Sequence, residues 1–175
     1  MRHFDRLVRA LAALGVALAA LSLIGSLVLI VYSVIMRYLL NQPVAWVDEL
    51  VGYLLVACVM LAAADAMLEG EHLAVDIVTE RLGSRGRRIA LLGGVVAIAL
   101  SALLLAVEGW DMVGFSQMVG LRSNGYMAVP MWIPQLLIPI GAVLLLLAAI
   151  AAFADAARRR ATASEATPHR ATGLE

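Results

Sequence analysis

The side chains of this chain that could do chemistry are few: three histidines, one cysteine and thirteen carboxylates. Two of the carboxylates, Asp48 and Glu49, are adjacent in the stretch "RYLLNQPVAWVDEL" (37–50), between two long apolar runs. In that place they could bind a proton or an ion, pair with Arg37, or form a solvated edge. Asp65 is the only carboxylate inside a predicted span, and an acid within a membrane is by default a functional hypothesis. It lies about three residues, or roughly 5 Å of helix rise, from the end of its span. An acid at the bilayer centre is disfavoured by roughly 2.5–3.5 kcal/mol, and one near the end by much less. A surface role, a helix-pairing role and an ion-coupling role therefore all stay open for Asp65. His72 and Asp76 stand four residues apart, the spacing of two ligands on one helix face, but two ligands alone make a poor metal site. His3, His72 and His169 all fall outside the predicted spans, which argues against haem held by paired histidines. Ser, Cys and His are not arranged for nucleophilic catalysis, and no glycine-rich phosphate loop occurs, so neither acyl transfer nor ATP hydrolysis is expected. The single Cys58 excludes an internal disulfide and reads as a small apolar residue. No catalytic residue and no metal site is expected.

The elements that must position these residues follow from composition. The chain has 175 residues, 63% of them hydrophobic and 15% charged, where a soluble domain is about a quarter charged. The apolar residues come in blocks. Ala10–Met36, Ile89–Val107 and Ser123–Ala154 contain no charged residue, and Leu50–Leu68 is broken only by Asp65. About 20 apolar residues cross the hydrocarbon core, and inside lipid every backbone polar group must be paired within its own segment. The expectation is an all-α integral membrane protein with four transmembrane helices at about 10–36, 47–68, 89–107 and 130–154. These form one domain over 1–155, with a disordered tail at 156–175. The first run is too long for the apolar core of a signal peptide, about 7 to 15 residues.

The thirteen basic residues are all arginine. Eleven precede span one, separate spans two and three, or follow span four; only Arg37 and Arg122 lie in the other loops. The positive-inside rule then predicts cytoplasmic termini and a cytoplasmic middle loop. On the opposite side, Pro43 suits the stop of one helix or the first turn of the next. Asp48 and Glu49 follow in early turns, where the positive helix end favours carboxylates. Trp46, Trp110 and Trp132 are expected as anchors at the headgroup level, and Trp46, Leu50 and Tyr53 share one helix face. Ser22 with Ser26, and Gly15 with Ala19, are small pairs through which helices can approach closely.

Gly70 can end span two, and residues 72–82 alternate as a short amphipathic surface helix, followed by arginines suited to anionic lipid. Span three can run past Val107 through Glu108, Trp110 and Asp111. "SNGY" (123–126) predicts a turn with positive φ from Asn124-Gly125. Pro130 and Pro134 open span four, and Pro139 is expected to kink it.

Taken together, "RYLLNQPVAWVDEL" and, one span later, "EGEHLAVDIV" resemble the small membrane subunit, the DctQ type, of tripartite ATP-independent periplasmic (TRAP) transporters. The resemblance covers about residues 20 to 155. It rests on Arg37, Tyr38, Asn41, Pro43, Trp46, Asp48, Glu49 and Leu50, then His72, Val75 and Asp76. This chain departs from the pattern in Asp48, where the family usually has Glu, and in Leu68, where a basic residue is frequent. Asp65 is also particular to it. The resemblance implies a subunit of an importer in the bacterial inner membrane. A periplasmic binding protein would capture an organic acid, and a large membrane subunit would carry the substrate and sodium sites. The small subunit would pack on the large one as fixed scaffold and help receive the binding protein. It would hold no cofactor and would contact these two proteins and membrane lipids, but no nucleic acid. A self-sufficient four-helix transporter or channel is the alternative. It would need facing polar residues inside the spans.

Overall fold

The computed structural model describes residues 2–69 and 84–165. Five helices follow in order: α1 (Arg2–Tyr38), α2 (Ala45–Glu69), α3 (Ser84–Val119), the short α4 (Trp132–Gln135) and α5 (Leu137–Glu165). Four stretches are long and apolar enough to cross a membrane: Arg6–Tyr38, Ala45–Glu69, Gly93–Val119 and Trp132–Ala154. Most of them reach farther than the charge-free runs. The largest extension is in α3, which continues to Val119, so Glu108, Trp110 and Asp111 are helical. What ends α3 is not the onset of charge but Gly120. At φ +65, its left-handed backbone lets the Leu121 amide return to the Ser116 carbonyl at 2.9 Å and its own amide to Gln117 at 3.3 Å.

Two further expectations change. The start of the tail, residues 156–165, is helical as the end of α5; its alanines and arginines are good helix formers and nothing there breaks the ladder. Gly125 carries no positive φ; in that loop the left-handed residue is Ala128, at φ 45. The expected interruption near Pro139 is present. Pro139 cannot donate to the Gln135 carbonyl, which interrupts the ladder between α4 and α5, while Leu136 keeps helical dihedrals and shares its amide between the Trp132 and Ile133 carbonyls at 3.1 and 3.3 Å. Gly70 and the surface helix predicted over 72–82, with His72 and Asp76, lie outside the described residues.

The long helices form a row. α1 packs on α2, α2 on α5, and α5 on α3, with a lesser contact between α1 and α5. α1 and α3 therefore stand at the two ends of the row. The contacts are made by small residues. Ala12, Ala64 and Ala148 form one buried cluster, and Ala19, Ala57 and Leu61 another. Large apolar side chains such as Leu21, Val28, Leu104 and Phe115 face outward. This is the inverse of a soluble core, and it suits lipid, where close backbone approach rather than burial of large side chains holds helices together.

Two glycines set the closest approaches. A Cβ at Gly15 of α1 would stand 2.6 Å from the Leu61 carbonyl oxygen, and one at Gly141 of α5 would stand 2.6 Å from that of Met60. The middle of α2 is thus held from two sides at neighbouring residues. On α3, Gly109 faces the ring of Pro139, with its would-be Cβ 3.1 Å from the ring Cδ. The proline that breaks the α4–α5 ladder is also the knob on which α3 rests, and it is fully buried.

Candidate functional site

The end of the row opposite residues 2 and 165 gathers the C-terminus of α1, the N-terminus of α2, the loop 120–131 and α4. Here α1 closes with Asn41 in the left-handed region at φ 52, a conformation Asn adopts readily. The turn lets the Gln42 amide donate to the Met36 carbonyl at 2.9 Å. Pro43 precedes α2 by two residues, and Val47, in the first turn of α2, is fully buried. Burial of Val47 turns Asp48 and Glu49 to different sides of the helix start, about 100° apart.

Asp48 faces α1. Its Oδ2 lies 3.9 Å from Nη2 of Arg37, with the two side chains 71% and 50% exposed. A loose, solvated pair of this kind contributes little to stability. Beside it Trp46, half-buried, meets Tyr32 of α1 with ring centroids 6.4 Å apart and planes tilted by 44°. Tyr38, the last residue of α1, is exposed.

Glu49 faces the loop 120–131. Its Oε1 accepts a hydrogen bond from the Tyr53 hydroxyl at 2.7 Å, and its Oε2 accepts from the Met127 amide at 3.4 Å. The Ser123 side chain also hydrogen-bonds the carboxylate. The Tyr53 oxygen further lies 3.8 Å from Sδ of Met131. Gly125 rests against the same carboxylate, so closely that any Cβ there would collide with Oε2. The loop is itself ordered by a short antiparallel ladder. Ser123 donates to Val129 and Met131 to Leu121, each at 2.9 Å, with Arg122 bridged to Pro130. Gly125 also donates to the Ser123 hydroxyl at 3.1 Å.

The two adjacent carboxylates therefore do separate jobs. Asp48 links the start of α2 to α1, and Glu49 links it to the loop between α3 and α4. Tyr53, Ser123, Gly125 and Met127 complete this second link. Tyr53 had a sequence signal, its place one turn after Glu49 on the Trp46 face. The loop residues had none, because their contact with Glu49 spans more than seventy positions.

Of the remaining residues, Trp132 lies at this end and Asp65 does not. Asp65 is half-buried on α2, toward the opposite end, and no hydrogen bond or ion pair joins it to another described residue. Trp110 is exposed on α3 and Trp132, half-buried, opens α4. Among the described residues no three His, Cys, Asp or Glu side chains converge. The Tyr53 and Ser123 hydroxyls beside the Glu49 carboxylate tie the loop to the start of α2. What the arrangement can do is hold three segments in fixed relation and present charged and aromatic side chains at one end of a membrane protein.

A family model for the DctQ component of tripartite ATP-independent periplasmic transporters matches residues 26–159, most of the chain. No curated relative matches it.

Proposed function

The chain belongs to the DctQ family of TRAP transporter components, and on that premise we propose that it is the non-catalytic scaffold subunit of a sodium-coupled importer for an organic acid. In this reading it packs beside a large membrane subunit in the bacterial inner membrane, with residues 2 and 165 toward the cytoplasm. It also helps to receive the periplasmic binding protein at the end that carries Arg37, Asp48 and Glu49. Eleven of the thirteen arginines precede the first span, separate the second and third, or follow the fourth in the sequence, which supports the orientation.

The observation that carries the scaffold reading is the use made of the carboxylates. Asp48 and Glu49, the first candidates for ion chemistry, are each engaged with their own chain. Asp65 stands without a polar partner among the described residues, and a relay or binding site needs several facing groups. Sodium and substrate sites then belong to the large subunit.

The test is deletion and recovery. The full-length chain is expected to co-purify with a larger, many-span protein, and uptake is expected to stop without it. A stable lone chain whose deletion leaves uptake intact would sink the proposal. Sodium-driven uptake by the chain alone in liposomes would instead favour a self-sufficient transporter. Replacing Arg37, Trp46, Asp48 or Glu49 singly should weaken assembly or docking and leave the sodium stoichiometry unchanged. A changed stoichiometry in an intact complex would put the acids in the ion path.

A further inference from the structure

Among the described residues, Arg122 is one of two arginines at the loop end, and it makes no ion pair or side-chain hydrogen bond there. The reason is local geometry. Residues 122 and 123 are adjacent in the short extended segment, so their side chains leave on opposite faces. Ser123 turns toward Glu49. Arg122, on the other face, lines an open groove of about 360 Å³ together with Ser116, Gln117, Gly120, Leu121, Pro130 and Trp132. The acid and the base of this region are thus kept apart although only a small loop separates them.

The groove lies between Val119, where one spanning segment ends, and Trp132, where the next begins. Its lining holds one cation and no carboxylate. Next to it along α3, Phe115, Met118 and Val119 are exposed, Met118 by 85%. A cation and a tryptophan at the end of a span, beside an exposed apolar strip, match a molecule with an anionic head and an apolar tail.

We infer that this groove binds an anionic phospholipid, with the Arg122 guanidinium on the phosphodiester and the acyl chains along the outer face of α3 near Phe115 and Met118. Guanidinium and phosphate pair through parallel N–H···O bonds, and Gln117 and Trp132, which line the same groove, are residue types that carry further donors. With no carboxylate in the lining, the ammonium of a zwitterionic phosphatidylethanolamine meets no partner. Phosphatidylglycerol, with its net negative charge, is favoured. Free phosphate lacks the apolar contact and binds weakly to a single exposed cation. This site is independent of the transport role proposed above.

The experiment is native mass spectrometry of the full-length chain, delipidated in detergent and titrated with phosphatidylglycerol or phosphatidylethanolamine. Phosphatidylglycerol is expected to be retained preferentially. Arg122→Gln, at a position exposed and unpaired, is expected to fold normally and lower that retention by about tenfold, the scale of one lost charge-assisted bond. Arg122→Lys, which keeps the charge without the planar fork, should retain the lipid less than wild type and more than Arg122→Gln. Retention by Arg122→Gln equal to wild type would overturn the assignment, as would equal retention of the two lipids. Displacement of the lipid by millimolar inorganic phosphate would overturn it too, by making the groove a plain anion site.

Discussion

Glu49 is satisfied entirely by groups from its own chain, and this sets what its neighbours tolerate. Gly125 has an ordinary backbone conformation, yet any side chain there meets the carboxylate. Gly125→Ala should therefore lift the loop off α2. The expected readout is faster hydrogen exchange at the Met127 amide and new proteolytic cleavage between 121 and 131, with the helices unchanged. Tyr53→Phe removes only the 2.7 Å bond and should produce a smaller increase at the same amides. Equal exchange in both variants and wild type would mean that the carboxylate does not hold the loop. Asp48→Asn should leave melting close to wild type, because its partner is 3.9 Å away and both groups are solvated. These roles were only half legible in the sequence. The pairing of Asp48 with Arg37 crosses a short connection and could be read from spacing. The bonds of Glu49 to Ser123 and Met127 depend on how α5 places α3 beside α2, which no local pattern encodes.

At the level of elements, the glycines divide into two kinds that look alike in the sequence. Gly15 and Gly141 approach backbone carbonyls of α2, whereas at Gly93 and Gly114 a Cβ would meet nothing within 4 Å. Gly15→Leu or Gly141→Leu should force a helix away from α2 and lower stability by about 1–3 kcal/mol, the usual scale of overpacking. Gly93→Ala should be neutral or stabilising by about 0.5–1 kcal/mol, since it removes backbone freedom from a helix interior. Thermal melting of the three variants and wild type in one detergent distinguishes these outcomes; a loss at Gly93 equal to that at Gly15 would contradict the seating. Existence and number of the spanning helices were readable from the charge-free runs. Their ends were less so, because capping rather than charge stops them. Span three could be read as running past Val107 through Glu108 and Asp111, but its end could not, because the helix continues until Gly120 turns left-handed. The interruption between α4 and α5 was readable, because proline removes a specific donor from the ladder.

For the molecule as a whole, the row arrangement leaves two apolar flanks, one on α1 and one on α3. Lipid covers them in the isolated chain, and a larger membrane protein would cover at least one in an assembly. Leu21→Trp on α1 and Leu104→Trp on α3 change side chains that face away from neighbouring helices, so each should leave helicity and melting of the isolated chain unchanged. If the scaffold proposal is right, the variant on the packed flank alone should reduce recovery with the large subunit. Unreduced recovery with both would leave neither flank as the contact.

The two glycine seats on Met60 and Leu61 have one more consequence, in angular phase. They fix the rotation of α2 about its own axis at mid-height, while Asp48 and Glu49 report that rotation about a dozen residues away, three turns or more. One residue inserted between 51 and 59 would keep the seats and swing the helix start by about 100°. Glu49 would leave the loop and Asp48 would leave Arg37 in a single step. Seven inserted residues, close to two full turns, would restore the direction but raise the start by about 10 Å. Neither change alters composition or hydrophobicity enough to prevent insertion into a membrane. A ladder of such insertions would therefore separate membrane insertion from assembly within one helix, and recovery of loop protection at no length would show that height and phase are both required.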